Sequence, residues 1–143
     1  MPPATTSFTL DSRLERDCLK VADWPLCRLL LMLDARYPWF ILVPRVPGAH
    51  DPIDLSADDY RALWEESATL SRAMRTAFAP HKLNVAALGN VVPQLHVHHI
   101  ARSIGDAAWP APVWGRGEAE PYAEGAVETR LVELRKALPQ RLR

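Results

Sequence analysis

Two histidines, His96 and His98, stand two positions apart in a segment whose alternation is typical of a β-strand, Gln94 to Arg102. Because side chains along a strand alternate between its faces, both imidazoles are predicted to lie on one polar, open face, with Gln94 beside them. A neutral imidazole is a good nucleophile near pH 7, since its ordinary pKa is about 6.5. Attack by one ring nitrogen on phosphorus gives a phosphoramidate that water can split. The spacing therefore indicates nucleophilic chemistry at phosphorus.

Such chemistry needs hydrogen-bond donors around the nucleophile. The second nitrogen of the attacking ring must be held as a donor, typically to a backbone carbonyl, and further donors must bind the phosphoryl oxygens. Gln94 and His98 on either side of His96 can supply them. The turn Gly89–Asn90–Val91 just upstream can add backbone N–H groups for an anion.

A zinc site is the main alternative use of the two imidazoles. Zinc takes three or four N, S or O ligands, and His96 with His98 would supply two of them. The remaining histidines and cysteines are poor candidates for further zinc ligands. His99 lies on the opposite face of the strand, His50 and His81 are far away in sequence, and Cys18 and Cys27 lack the spacing of a ligand pair. We therefore predict no metal site. A solvated strand face with incidental histidines is the third interpretation.

The surrounding segments predict an α+β fold, an antiparallel sheet with a helix on one face. Apolar runs at 28–33 and 39–43, separated by a Pro-containing turn, predict two paired strands. Residues 82–88 predict a further strand ahead of the histidine segment. Residues 11–22 have weak helical spacing, and Val127 to Leu138 predict a short C-terminal helix.

The main helix is predicted near 56–79. Ser56 is a good N-cap, and Asp59 three residues later has the spacing of a capping box. Apolar residues then recur at three- and four-residue intervals until Pro80 ends the pattern. We expect this stripe to pack on the sheet.

Composition restricts the classes of partner. Lys plus Arg and Asp plus Glu both number 17 among 143 residues, so no overall field favours nucleic acid. No segment has the length of a membrane span, and Met1 to Asp11 contain no apolar stretch typical of a secretion signal. Two cysteines are too few for a disulfide framework, which favours a reduced, cytoplasmic setting. The first seven residues are predicted to be mobile or to lie over the surface of the domain.

The segment Gln94–Arg102 resembles the signature of the histidine triad (HIT) family, in which histidine and apolar residues alternate three times. The similarity continues in Leu31–Asp34 with Tyr37–Arg45, and in Leu83–Val85 followed by Gly89–Asn90. The resemblance implies one HIT-like domain over 1–143, with a core at about 18–114 and a C-terminal extension over 115–143. It also implies a half-barrel of about five strands.

Members of this family are nucleotide hydrolases and transferases, usually homodimers. They cleave dinucleoside polyphosphates, nucleoside phosphoramidates or related adenylates through a nucleotidylated histidine. The resemblance makes His96 the nucleophile, His98 its phosphate-binding partner and Asp34 the residue that holds the ribose hydroxyls. Three further residues would bind the nucleotide near its α-phosphate: Asn84, Gly89 and Asn90. It implies a purine nucleotide substrate and no cofactor, although a polyphosphate substrate can bring Mg²⁺ with it.

Gln94 stands where the first histidine of the triad is expected. Glutamine can donate and accept hydrogen bonds but cannot carry a proton charge. If the first position protonates the leaving group, that assistance is lost or moves to water; if it only orients the phosphate, little changes. The alternative function is therefore a nucleotide-binding protein with weak or no catalysis.

Four neighbouring side chains have simpler predicted roles. His99 is expected to be half-buried on the face opposite the other two histidines. Arg102 lies on the histidine face, where it could contact phosphate, but it is expected to be a solvated strand end. Trp109 and Trp114 lie in a rigid Pro-rich loop, which either packs on its own domain or covers a nucleobase.

Overall fold

The computed structural model describes residues 7–143, and most of the segment predicted to be mobile, 1–6, lies outside them. One antiparallel sheet has the strand order β1-β2-β3-β5-β4. Its strands are β1 (Cys18–Asp23), β2 (Cys27–Met32), β3 (Trp39–Pro44), β4 (Lys82–Ala86) and β5 (Val97–Arg102). The α+β prediction is confirmed, as are the antiparallel pairing of the two apolar runs and the strand count.

Three α-helices accompany the sheet: α1 (Ser12–Asp17), α2 (Ala57–Phe78) and α3 (Ala126–Ala137). The predicted start of α2 is confirmed, because Ser56 Oγ accepts the Asp59 N–H at 3.1 Å. The helix ends at Ala79, whose φ of 43° is left-handed, directly before Pro80. Two short 3-10 turns lie at Pro52–Asp54 and Gln140–Leu142.

The helix predicted over 11–22 is wrong in its second half. Asp11 caps α1 by accepting the Arg13 N–H, but the helix stops at Asp17 and the chain continues as β1. The spacing of Leu14, Cys18 and Val21 fits a helix. Pairing with β2 nevertheless decides the conformation, since backbone hydrogen bonds to a neighbouring strand are a tertiary interaction that spacing cannot reveal.

The histidine strand begins three residues later than predicted. β3 pairs with β5 only from Val97 onward and β4 only from His98 onward, so Gln94 to His96 have no ladder partner. Pro93 also lacks the N–H that a longer ladder would use. Gln94 and His96 therefore lie in the approach to β5, whereas His98 belongs to the strand itself.

Both faces of the sheet are covered. One face packs on α2 and α3 through a core that includes Leu31, Phe40 and Leu70. The other face carries His98 and packs under the N-terminal segment and the loop before Trp114, through a second cluster that includes Leu14 and Val113. The prediction that the histidine face is open is wrong, because two segments distant in sequence fold over it.

Candidate functional site

His96 has the orientation that a nucleophile requires. Its Nδ1 lies 2.6 Å from the backbone carbonyl oxygen of Gln94. A carbonyl can only accept, so Nδ1 carries the proton and Nε2 carries the lone pair. The predicted pinning of one ring nitrogen by a carbonyl is thus present, and it is made by the residue two positions before the histidine.

His98 is held in the opposite tautomer. The indole N–H of Trp39 donates to His98 Nδ1 at 3.0 Å, and an indole N–H is only ever a donor. The proton of His98 must therefore be on Nε2. The ring centroids of His96 and His98 are 4.8 Å apart, so a lone pair on one ring and an N–H on the other are presented side by side.

The two Nε2 atoms keep contact with solvent although the rings are largely buried, with 6% and 5% exposed. Neither atom has a hydrogen-bond partner among the described residues. Within residues 7–143 the buried side-chain atoms lacking a partner are Tyr37 Oη, Arg45 Nε and Trp114 Nε1. Because neither histidine nitrogen is among them, each Nε2 retains some surface exposed to solvent.

Burial keeps both rings neutral. It is the main cause that lowers the pKa of His96, against the hydrogen bond to Gln94 and the negative charge of Asp11, which raise it. Burial, with repulsion from His96 and His99, lowers the pKa of His98 to about 3. At pH 7 the pair is therefore one neutral nucleophile and one neutral donor.

A pocket of about 440 Å³ lies beside two tryptophans that contact His98, although neither His96 nor His98 is among the residues that line it. Trp39 and Trp114 line it, and their rings lie 5.6 Å and 5.2 Å from the ring of His98. Asp34 and Arg36 line its other side. This volume is within the usual range for small-molecule sites, which is about 300 to 1,000 Å³. Trp114 packs on its own domain, as predicted, and also lines the pocket. Trp109 packs against His81 instead.

The side chain of Gln94 is committed to the N-terminal segment. Its Oε1 accepts the Asp11 N–H and its Nε2 donates to the Thr9 carbonyl, each at 2.8 Å. The structure thus gives the amide two backbone partners, and the predicted contact of Gln94 with a phosphoryl group stays a prediction. Its link to His96 runs through the backbone carbonyl instead.

Asp34 is buried, with its carboxylate bonded to protein groups on both oxygens. Arg36 donates to it from its side chain and its backbone, and the Glu120 N–H donates at 3.2 Å. Burial opposes ionisation most strongly, but these hydrogen bonds together lower the pKa of Asp34 below its ordinary value. Oδ1 accepts three of these N–H groups, whereas Oδ2 accepts Arg36 Nη2 and, at 3.3 Å, a shared Nε, so the ribose contact predicted for Asp34 stays a prediction.

Asn84, Gly89 and Asn90 are not hydrogen-bonded to either histidine. Asn84 lies opposite Ile100 and accepts from Arg102 at 2.9 Å. Gly89, with φ of 74°, and the exposed Asn90 form the turn between β4 and β5. Their predicted nucleotide contacts remain predictions.

Arg102 is not a solvated strand end. It is 1% exposed and pairs with Asp106 at 2.8 Å beneath the Trp109 loop. An arginine can be buried in this way because Asp106 neutralises its charge, and this partner lies four residues away beyond the end of β5.

His99 packs on the helix side of the sheet, as predicted, and it is fully rather than half buried. Its Nδ1 donates to the Val97 carbonyl at 3.0 Å, so its Nε2 accepts the hydroxyl of Ser67 at 2.7 Å. Across residues 7–143, no group of three or more His, Cys, Asp or Glu side chains is arranged to hold a metal ion.

Sequence reasoning missed three residues of the site: Trp39, Asp11 and Arg36. Trp39 reaches His98 because it is paired with Ile100, and strand register cannot be read from either segment alone. Asp11 approaches His96 through a fold of the N-terminal segment. Arg36 stands two residues after Asp34, so the i, i+2 spacing of opposite charges was the one signal available.

Comparisons with known proteins agree with this architecture. The family model described as HIT domain matches residues 13–104. A histidine triad protein from Bradyrhizobium japonicum is 44% identical, with a TM-score of 0.91, over 94% of this chain and 100% of that chain. One from Marinobacter aquaeolei VT8 is also 44% identical, with a TM-score of 0.91, over 96% of this chain and 100% of that chain.

A more distant structure shares the fold alone. This hypothetical histidine triad nucleotide-binding protein from Sulfolobus tokodaii strain 7 is 16% identical, with a TM-score of 0.61, over 88% of each chain. The search of curated proteins gave no match.

Proposed function

Because the chain belongs to the HIT domain family, we propose that it is a nucleotide hydrolase or nucleotidyl transferase acting at an α-phosphate. Its substrates would be dinucleoside polyphosphates, nucleoside phosphoramidates or related adenylates of purine nucleosides. The observation that supports this most directly is the pair of complementary tautomers, with a lone pair on His96 Nε2 and a proton on His98 Nε2.

In the first step His96 Nε2 attacks the α-phosphorus. The new N–P bond forms as the bond from phosphorus to the leaving group breaks, and the leaving group keeps that electron pair. The imidazole becomes positively charged, and its Nδ1–H still donates to the Gln94 carbonyl, which stabilises the charge. His98 Nε2–H donates to a non-bridging oxygen.

In the second step water attacks the same phosphorus. The N–P electron pair returns to His96, the nucleoside monophosphate departs, and the proton of the water passes to solvent. If an alcohol or amine replaces water, the reaction is a transfer. Neither step uses a protein-bound metal, although a polyphosphate substrate can bring Mg²⁺.

The site offers no strong acid to the leaving group. Gln94 carries no ionisable proton, and His98 is neutral, with a pKa near 3. A leaving group such as a nucleoside diphosphate departs without prior protonation, whereas an amine does not. We therefore place dinucleoside polyphosphates ahead of phosphoramidates among the proposed substrates.

Nucleotide binding with weak or no catalysis is the second candidate. The commitment of the Gln94 amide to the backbone of Thr9 and Asp11 favours it, because one donor and one acceptor of this amide are already used within the protein and the residue has no ionisable proton.

Trapping the intermediate tests the proposal. The protein is mixed with diadenosine triphosphate, quenched in alkaline denaturant because N–P bonds hydrolyse in acid, and weighed intact. We expect a gain of one AMP unit that maps to His96. His96→Ala should abolish the adduct and the turnover, while the matched variant His50→Gln, altered at an exposed histidine, should keep both. Nucleotide binding without adduct or turnover would assign the second function.

We also propose a homodimer. β4 is an edge strand whose surroundings expose apolar residues, with Val85 42%, Leu88 45% and Val91 75% exposed. Edge strands present unpaired backbone groups that a second copy can use, so pairing β4 with its symmetry mate would continue the sheet. Cys18 and Cys27 are free and buried, which supports the cytoplasmic setting proposed from the sequence.

A further inference from the structure

Within residues 7–143, four charged residues line the pocket beside the tryptophans, and they form two ion pairs, Arg36 with Asp34 and Arg16 with Asp17. The side chains of the first pair are 16% and 3% exposed, whereas those of Arg16 and Asp17 are 70% and 49% exposed. Arg16 and Asp17 are the last two residues of α1. They are therefore the charged groups of the pocket that are most open to a ligand.

A backbone hydrogen bond holds Asp17 next to the apolar part of the pocket. The Leu33 N–H donates to the Asp17 carbonyl oxygen at 3.0 Å, and Leu33 lines the pocket with Trp39 and Trp114. Aromatic and apolar side chains of this kind bind the faces of nucleobases. Because both tryptophans also contact His98, a nucleotide with its phosphate at the histidines would place its base in this pocket, within reach of Asp17.

Guanine is the natural base whose hydrogen-bonding edge matches a carboxylate. An ionised carboxylate only accepts hydrogen bonds, and its two oxygens can accept two parallel N–H groups. Guanine offers two adjacent donors, N1–H and the N2 amino group. Adenine and cytosine offer one amino group next to a ring nitrogen that accepts, and the lone pair of that nitrogen repels a carboxylate. Asp17 therefore favours guanine.

The ion pair with Arg16 is weak enough for guanine to replace it. Arg16 Nε and Nη2 donate to the two oxygens of Asp17 at 2.8 Å and 3.1 Å, on the edge of the carboxylate that guanine would use. An ion pair as exposed as this one contributes little, because water and salt screen the charges and both side chains lose freedom. The released guanidinium stays beside Asp17 and can donate to O6 of guanine, where adenine has an amino group instead.

We infer that Asp17, with Arg16 beside it, binds the edge of the nucleobase and gives the site a preference for guanine nucleotides. Adenine nucleotides remain weaker ligands, because the apolar part of the pocket and the two histidines make contacts that any purine nucleotide can share. This inference rests on the proposed function, since it names the base that the same site prefers.

Equilibrium binding of GMP, IMP and AMP to the wild type tests the inference without requiring turnover. IMP differs from GMP only in lacking the N2 amino group, so it isolates one of the two donors. Loss of a hydrogen bond to a charged group weakens binding by roughly tenfold or more. By titration calorimetry we expect IMP to bind about tenfold more weakly than GMP, and AMP more weakly still. Equal binding of GMP and AMP, or of GMP and IMP, would overturn the inference.

Asp17→Asn provides the second measurement. The amide offers one donor and one acceptor in place of two acceptors, so GMP binding should weaken by about tenfold or more. AMP binding should change little, which also shows that the variant is folded. XMP, in which a C2 carbonyl replaces the amino group of GMP, should bind the variant more tightly than the wild type. An unchanged preference for GMP over AMP in Asp17→Asn would overturn the inference.

Asp58→Asn is the matched control. Asp58 is an exposed aspartate that also pairs with an arginine, Arg61, but it lies in α2 and does not line the pocket. This variant should keep the wild-type preference for GMP. An equal loss of GMP binding in both variants would show that the effect is not specific to Asp17 and would overturn the inference.

The outcomes separate this inference from the proposed function. A preference for GMP without any adduct on His96 removes the catalytic proposal and supports the inference. Adducts that form from diadenosine and diguanosine triphosphate, together with equal binding of GMP and AMP, support catalysis and overturn the inference. Failure of all three nucleotides to bind removes both.

Discussion

At the scale of single residues, hydrogen bonds decide what each histidine can do. His96, His98 and His99 all carry neutral rings, yet a different partner fixes the proton position on each. His96 and His98 present a lone pair and an N–H side by side, whereas both nitrogens of His99 are used within the core. Within four positions of the chain, one histidine is placed to attack, one to donate a hydrogen bond and one to pack in the core.

The buried His99 should make folding stability depend on pH. Burial lowers its pKa to about 4, below the value of about 6.5 in the unfolded chain. Between these values the unfolded state binds more protons, so this contribution is complete above pH 6.5 and is lost as pH falls towards 4. We expect His99→Gln to remove roughly 3 kcal/mol of the difference in unfolding free energy between pH 7 and pH 4.

Urea unfolding at the two pH values measures this difference. The exposed His50 provides the matched control, since His50→Gln should leave the difference as it is in the wild type. Equal pH dependence in wild type and His99→Gln would show that His99 does not titrate on unfolding.

At the scale of elements, the N-terminal segment and the approach to β5 act together. Gln94 holds Thr9 and Asp11, Arg13 donates to the Val91 carbonyl at 2.8 Å, and Asp11 faces His96 closely enough to affect its pKa. These contacts position α1 and the preceding residues over the histidine face. Gln94, in the first triad position, therefore connects the N-terminal segment to the approach to β5.

Gln94→Ala should loosen this connection. Two hydrogen bonds are lost, each contributing about 0.5–1.5 kcal/mol net, so the free energy of unfolding should fall by about 1–3 kcal/mol in urea titrations. The Asp11 amide should also exchange faster with solvent. Gln94→Glu is the matched variant, because it keeps the acceptor for Asp11 and loses only the donor to Thr9. Unchanged exchange at Asp11 in Gln94→Ala would contradict this role of Gln94.

At the scale of the whole molecule, the sheet has two covered faces and two edges. α2 and α3 close one face, and the N-terminal segment with the loop before Trp114 closes the other. None of the helices in residues 7–143 combines the length and hydropathy needed to cross a bilayer. The β4 edge, with its exposed apolar residues, is the surface on which assembly would occur.

Val85→Glu should disrupt the proposed dimer. A carboxylate near the end of β4 would lie in the proposed interface, where like charges from the two copies repel and desolvation is unfavourable. Sedimentation velocity at micromolar concentration should show a dimer for the wild type and a monomer for the variant. Ile53→Glu, at an 84% exposed apolar residue away from this edge, should remain dimeric. A monomeric wild type would reject the assembly.

Local pattern accounts for most of the elements. A few neighbouring residues are enough to predict four features: the cap at Ser56, the apolar stripe of α2, the alternation of β5 and the spacing of α3. The resemblance of the histidine segment likewise led to the family that the comparisons support. The predicted element boundaries were wrong at Gln94–His96 and at β1. In both places, pairing with another strand determines where the strand begins.

The sequence by itself determined the residue types of the site, the α+β class and the place of the two imidazoles, because these depend on spacing within one segment. Only the tertiary structure decided the tautomers, through Trp39, and the covering of the histidine face by the N-terminal segment. It also placed Arg36 and Glu120 on the carboxylate of Asp34. Proton positions and free acceptors depend on contacts between residues up to 86 positions apart, which no local pattern encodes.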